Sequence, residues 1–184
     1  MSAPIIISTP LSESDIASLR IGDSVLLQGT IYAARDAAHK RFMNLLQARR
    51  ELPIDLRGQI IYYTGPAPAR PGEVIGPAGP TTSYRMDPYT VPLLQAGLKG
   101  MIGKGPRGKS IIKAIEKYSA VYFAATGGTA VLLSRQIKKA EIGAYEDLGP
   151  EAVLRLEVED FPVIVAIDCR GRDLYREGVE KYRI

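Results

Sequence analysis

Residues 65–88, GPAPARPGEVIGPAGPTTSYRMDP, hold six of the chain's thirteen prolines and four of its eighteen glycines. Proline lacks the N–H that a helix or ladder needs, and glycine offers no side chain to pack. This stretch therefore cannot be a core element, and every other element must be arranged around it. A long segment of this kind inside a compact chain is either functional or disordered. Prolines stiffen its path, and glycines let other groups come close to its backbone. We expect an ordered loop that carries function. It ends at Asp87-Pro88, an N-cap residue followed by proline at a first helical position.

On either side the hydrophobic pattern alternates between the two periods of regular structure. Ser12 caps a short helix to Leu19, and VLLQGTIYAA (25–34) reads as a strand. RDAAHKRFMNLLQARR follows as a helix with Ala38, Phe42, Leu45 and Leu46 on one face. GQIIYYT (58–64) is a second strand. Beyond the loop we expect a helix to about residue 96, a short strand in GLKGMIG and a helix in SIIKAIEKY with Ile111, Ile112 and Ile115 inward. AVYFAAT is a strand, Gly127-Gly128 opens a short helix, and IGAYEDL, VLRLEVED and PVIVAID are strand candidates. The fold class is mixed α/β, as one domain over residues 1–184. The last strands can pair antiparallel, so the sheet is not expected to be purely parallel.

Cysteine and histidine limit the chemistry. The chain has one of each, Cys169 and His39. A structural zinc site usually takes four such ligands, and an iron–sulfur cube three or four cysteines. This chain cannot hold either alone, so soft-metal chemistry must come from a partner. The net charge of +4 suits small anions. Basic and acidic residues are interleaved, with no polybasic arm, so no nucleic acid partner is expected. No apolar run approaches the roughly 20 residues that cross a bilayer, and the start has no basic region before its apolar stretch. We expect no membrane association and a cytoplasmic protein.

GKGPRGKS, residues 103–110, fits the phosphate-binding pattern G-x-x-x-x-G-K-[ST], and PVIVAID ends on Asp168 as a magnesium-holding strand would. Against this reading, the preceding strand is short and polar at Lys99. Pro106 also restricts the loop where backbone N–H groups should converge on phosphate. The plain alternative is a glycine turn before a helix.

The cations suggest another anion. Arg35 opens a helix whose first half also carries His39, Lys40 and Arg41. Positive charge there opposes the helix dipole, which makes sense if Arg35 faces an anion beside the helix N-terminus. In TTSYRMD, Arg85 follows Thr81 by four residues on the rim of the stiff loop, and Lys104 sits in a glycine turn. Together Arg35, Arg85 and Lys104 suit a small dicarboxylate. Arginine grips a carboxylate through two parallel hydrogen bonds, and lysine supplies a point charge.

GTIYAARDAAHKR, QIIYYTGPAP, GPTTSYRMDPY, GMIGKG and FAATGGTAVLLS, in this order, resemble the C-terminal domain of class I fumarases. In two-component versions this domain is a separate beta subunit, of fumarate hydratase or of tartrate dehydratase. The resemblance runs from about Leu19 to Tyr175. It implies a swivelling β/β/α fold and a hydro-lyase of the tricarboxylic acid cycle that interconverts fumarate and malate. It also implies an oxygen-sensitive 4Fe–4S cluster carried by the alpha subunit, with the active site between the two components.

The resemblance places Arg35, Arg85 and Lys104 on the substrate carboxylates and Thr81 as the catalytic base, with Thr82 one position away. A threonine hydroxyl is a poor base unless its alkoxide is stabilised, which neighbouring Arg85 could do. Loss of the C–H proton puts charge onto a carboxylate, which fixed cations stabilise, while a Lewis acid on the partner helps hydroxide leave. The general acid would come from the partner, and His39 is structural or supports the site. The lysine turn then explains GKGPRGKS through Lys104, and nucleotide binding becomes a coincidence of pattern. Cys169 reads as a strand-end residue. Tartrate dehydratase is the alternative, since the two substrates differ by little that this sequence reads. A non-catalytic partner of an iron–sulfur protein is a third reading, and two alpha with two beta chains a plausible assembly.

Overall fold

The computed structural model of the protein describes residues 3–183. In chain order the elements are β1 (Ile5–Ser8), α1 (Glu13–Ser18), β2 (Ser24–Ala33), α2 (Asp36–Gln47), β3 (Ile60–Tyr62), α3 (Asp87–Gln95), β4 (Gly100–Gly103), α4 (Lys109–Lys117), β5 (Val121–Ala124), α5 (Ala130–Arg135), β6 (Ile137–Ala144), β7 (Val153–Ile167) and α6 (Leu174–Tyr182). Strands β1 to β5 lie side by side in sequence order, each parallel to the next. The long β7 runs antiparallel to both β5 and β2. It thereby closes β2, β3, β4, β5 and β7 into a ring, with β1 and β6 outside it.

Ring closure requires a corner, and the sequence supplies one. The β2–β7 register shifts between Leu27 and Gly29, where Gly29 has φ +99° and Asp160 on the facing strand has φ +52°. Such a bulge bends a strand and strengthens its twist. A side chain at Gly29 would meet the Thr9 hydroxyl at 2.8 Å, so glycine also leaves room for the chain after β1. The bend explains why VLRLEVED and PVIVAID look like two strands although they form one.

Alternation divides the core in two. Ile60 and Tyr62 point into the ring with Leu27, Ile31, Ile102, Phe123, Phe161 and Val165. Ile61 and Tyr63 point outward with Met101 and Tyr122 onto α2, α3 and α4, where Phe42, Leu94, Ile111 and Ile115 cover them. This is the period-two pattern of strands meeting the amphipathic stripe of helices. Helix α1 has the expected cap, with the Ser12 hydroxyl accepting from Asp15 N and the Asp15 carboxylate accepting from Ser12 N. On α2, His39 is buried with Ala38 and Phe42, while Leu45 and Leu46 are only half-buried.

The strand expected in IGAYEDL is present only over its first three residues, as the end of β6. β6 begins at Ile137 and ends at Ala144, and residues Glu146–Glu151 form a 3₁₀ turn. Lys138, Lys139 and Glu141 hide its first half from a hydrophobicity pattern because β6 is an edge strand with most of its side chains in solvent. β1 and α6 have no counterpart among the elements expected from the sequence.

A candidate anion site at the ends of the parallel strands

The carboxyl ends of β2, β3, β4 and β5 lead into Arg35, Gly65, Lys104 and Gly127. In α/β folds the carboxyl ends of parallel strands are the usual place for a ligand. The proline-rich loop leaves this edge after Tyr63 and returns to it. Its base is tied by hydrogen bonds from the Tyr62 hydroxyl to the Ala78 carbonyl (2.6 Å), from the Thr64 hydroxyl to the Gly79 carbonyl (2.8 Å) and from Ala67 N to the Pro77 carbonyl (3.1 Å). Residues 67–74 are exposed, whereas Ile75 and Ala78 are buried. The loop is an excursion with a pinned base.

The returning chain then lies between β3 and β4. Thr81 N donates to the Tyr63 carbonyl (2.6 Å), Lys104 N to the Thr81 carbonyl (3.3 Å) and Ser83 N to the Lys104 carbonyl (2.9 Å). Thr82 forms a parallel bridge with Lys104. Main-chain bonds thus set Thr81 and Thr82 beside Lys104. The Lys104 side chain is exposed and lies along Gly127, where an added methyl would be 4.0 Å from Nζ.

Arg35 and Arg85 meet on one carboxylate. Asp36, in the first turn of α2, accepts from Arg35 Nε at 3.2 Å, from Arg85 Nε at 3.1 Å and from Arg85 Nη2. Arg35 Nη2 also pairs with Glu151 at 3.0 Å, and the other Glu151 oxygen accepts from Ala37 N at 2.9 Å. The anion expected beside the helix N-terminus is thus partly supplied by the chain itself. Glu151 caps α2 in place of a side chain from Arg35. Gly65 allows this packing, since a methyl there would fall 3.0 Å from both Arg35 Cδ and Nη1. Asp36 stands in the quoted sequence motif. Glu151 is remote in sequence and carries no local signal.

His39 is fully buried one turn beyond Arg35. Its Nδ1 lies 2.9 Å from the Arg35 carbonyl, and its ring packs edge-on against Tyr63 at 5.4 Å. Burial lowers its pKa to about 4, so the ring is neutral at physiological pH.

The phosphate-binding pattern is occupied differently. β4, the turn and α4 do make strand, loop and helix, but the Asp87 carboxylate accepts from Gly108 N at 2.9 Å, at the N-terminus of α4. A carboxylate of the chain therefore stands where a phosphate would be cradled. Asp168 likewise accepts from Arg170 N (3.0 Å) and Arg172 N (3.3 Å), closing a turn. It lies beyond the end of β7, away from the carboxyl ends of the parallel strands.

The residues do not fit an iron–sulfur cluster. Cys169 follows Asp168 at that far end, where its Sγ donates to the Ile16 carbonyl at 3.5 Å. Among the described residues no group of three His, Cys, Asp or Glu side chains could hold a metal ion.

The site's frame has relatives. The family model described as Fumarase C-terminus matches residues 2–178. A Methanocaldococcus jannaschii protein, provisionally named L(+)-tartrate dehydratase subunit beta, is 39% identical over 177 residues, covering 93% of this chain and 91% of that protein. The anaerobic class I fumarate hydratase of Escherichia coli K12 is 38% identical over 180 residues, 95% of this chain and 33% of that protein. Fumarate hydratase 1, mitochondrial, of Leishmania major is 43% identical over 154 residues, 82% of this chain and 28% of that protein. The chain thus spans about a third of the fumarate hydratases and nearly all of the archaeal protein. With the ring and its helices as described, the chain belongs to the Fumarase C-terminus family.

Proposed function

We propose that this chain is the beta subunit of a two-component hydro-lyase that hydrates fumarate to L-malate and catalyses the reverse reaction. The observation that carries the reading is the convergence at one sheet edge. Arg35 and Arg85 share Asp36, and the main chain pairs Thr81 and Thr82 with Lys104. In this reading Arg35, Arg85 and Lys104 hold the substrate carboxylates. In dehydration Thr81, as its alkoxide, takes the proton from the carbon next to a carboxylate and returns it in hydration. The charge that develops on that carboxylate is met by cations already in place, so they stabilise the transition state more than the bound substrate. Asp36 and Glu151 hold the arginines in fixed directions before substrate arrives.

The edge is open. Thr81 and Thr82 are half-buried, and Arg85 and Lys104 are exposed. Tyr84, Val131 and Leu132 expose apolar side chains on the neighbouring segments. A second component would close this edge, exclude water and bury that apolar surface. That component is the alpha subunit, which carries the iron–sulfur cluster and the general acid. The class I fumarate hydratase relatives support an iron–sulfur enzyme. The archaeal beta-subunit relative supports a separate chain, and its name keeps tartrate dehydration as the second reading.

The test is anaerobic purification of the tagged chain from its own host, with fumarate hydration and tartrate dehydration assayed at once. A co-purifying, cysteine-bearing, brown partner with hydratase activity is expected. A chain that is colourless and inactive, and that binds ATP with magnesium, would overturn the proposal.

A further inference from the structure

The stretch GKGPRGKS contributes a residue that the proposed chemistry leaves without a task. The Arg107 side chain is 0% exposed. Its Nε donates to Asp87 Oδ1 at 2.6 Å and its Nη2 to Thr90 Oγ1 at 2.7 Å. Its guanidinium lies over the Tyr122 ring at 5.1 Å and the Tyr63 ring at 5.6 Å. The Tyr122 hydroxyl bridges Ser83 Oγ (2.9 Å) and the Gly105 carbonyl (2.8 Å). Burying the arginine costs desolvation that an apolar side chain of the same volume avoids, and Asp87 keeps 20% of its side-chain exposure, so the pair calls for a reason beyond stability.

The connectivity supplies it. Asp87 and Thr90 form the first turn of α3, immediately after the segment with Thr81 and Arg85. Arg107 follows the Lys104 turn by three residues. Main-chain bonds join the two segments at Thr81, Ser83 and Lys104. Arg107 joins them again downstream, and Tyr122 holds the middle. Two segments pinned at both ends cannot slide past each other.

We infer that Arg107 is a positioning residue, which locks the segment bearing Thr81 and Arg85 to the turn bearing Lys104. The inference rests on the proposed function for what the locked groups do. It assigns the arginine no contact with substrate. Asp87 serves the lock twice, since its second oxygen also caps α4 at Gly108 N.

The test compares wild type, Arg107→Lys and Arg107→Met in the anaerobically assembled complex with its cluster-bearing partner. Rates are normalised to assembled, cluster-loaded complex. A displacement on the order of 1 Å costs about a hundredfold in rate. Arg107→Met is therefore expected to lower kcat/KM about a hundredfold, including a clear rise in KM for the dicarboxylate. Arg107→Lys keeps a charge but not the fork, and should fall between. A purely structural arginine would reduce only the amount of assembled complex and leave KM unchanged.

Amide exchange of the wild-type and variant chains gives a readout that does not need turnover. Ser83, Lys104 and Gly108 amides should exchange faster in the variants, while Ile102 and Phe123 in the ring keep their protection. If Arg107→Met does not fold, Arg107→Lys decides by the same two measures. Wild-type KM in a folded variant, or unchanged exchange at those three amides, would overturn the inference. A wild-type complex inactive on fumarate, malate and tartrate would instead overturn the proposed function, with the lock still judged by exchange.

Discussion

A single methyl group added at Gly103 should disturb the candidate site without touching any of its charged groups. Gly103 ends β4, immediately before Lys104. A Cβ there would fall on the Ser83 hydroxyl, inside any contact distance, with Ser83 Cβ at 3.3 Å and Tyr63 Cδ2 at 3.0 Å. Ser83 is fully buried, so its hydroxyl has two ways out. It can rotate and lose its bond to Tyr122, which leaves a buried polar group poorly paired, at about 1–3 kcal/mol. Alternatively the segment moves, which overpacks the region at about 1–3 kcal/mol. Either route places the cost of Gly103→Ala at about 1–3 kcal/mol. The second route also shifts Thr81 and should reduce kcat/KM by roughly a hundredfold.

Ser83→Ala removes the hydroxyl that clashes, and the contacts that remain, at 3.0 and 3.3 Å, need only small adjustments. The double variant should therefore cost less than the sum of the two singles, by on the order of 1 kcal/mol. Urea unfolding of the four proteins measures the cycle, and turnover of the assembled complexes measures the displacement. Strict additivity, or a Gly103→Ala protein as stable as wild type, would refute the contact argument.

Two further predictions follow from the same geometry. His39 has a folded pKa of about 4 against an ordinary 6.5, with burial as the main cause, so the unfolded chain binds the proton more readily. Its contribution is fully present above pH 6.5 and is lost as pH falls toward 4, by about 3 kcal/mol in all. The stability difference between wild type and His39→Gln should shift by that amount across the window, and parallel curves would refute it. Lys104→Met keeps the stem and removes the charge. A charged hydrogen bond contributes about 1.5–3 kcal/mol, so KM for the dicarboxylate should rise roughly tenfold to a hundredfold. An unchanged KM would remove Lys104 from the proposed site.

Much of the fold is legible where one period dominates. α4 buries the three isoleucines that its spacing indicates, α2 buries Ala38 and Phe42 but leaves Leu45 and Leu46 half-buried, β2 forms as a strand, and Ser12 caps α1 as expected. The errors share a cause. β6 begins five residues before the expected strand because edge strands owe less to hydrophobicity than to their neighbour's backbone. One bent strand looks like two because Asp160 and Pro162 resemble a turn, although pairing with β2 carries the strand through. Of the residues singled out in the sequence, Arg35 and Arg85 meet on Asp36, and Thr81 lies beside Lys104 through main-chain bonds. The carboxylates that hold the arginines divide differently. Asp36 sits beside Arg35, whereas Glu151 arrives from the 3₁₀ turn before β7 and only the fold brings it there. The phosphate-loop pattern shows the limit of a motif. Its strand, turn and helix are present, but the carboxylate of the half-buried Asp87 fills the place of the anion.

The most direct test of the central claim is anaerobic malate and fumarate turnover by the complex with its cluster-bearing partner, comparing wild type with Thr81→Val. Valine keeps the shape and removes the hydroxyl, while the Thr81 main-chain bonds to Tyr63 and Lys104 remain possible. A positioned base typically contributes about 10²–10⁴-fold, so kcat should fall by that factor in a complex that still assembles and binds dicarboxylate. Full turnover in the assembled Thr81→Val complex would contradict the claim that this chain supplies the base.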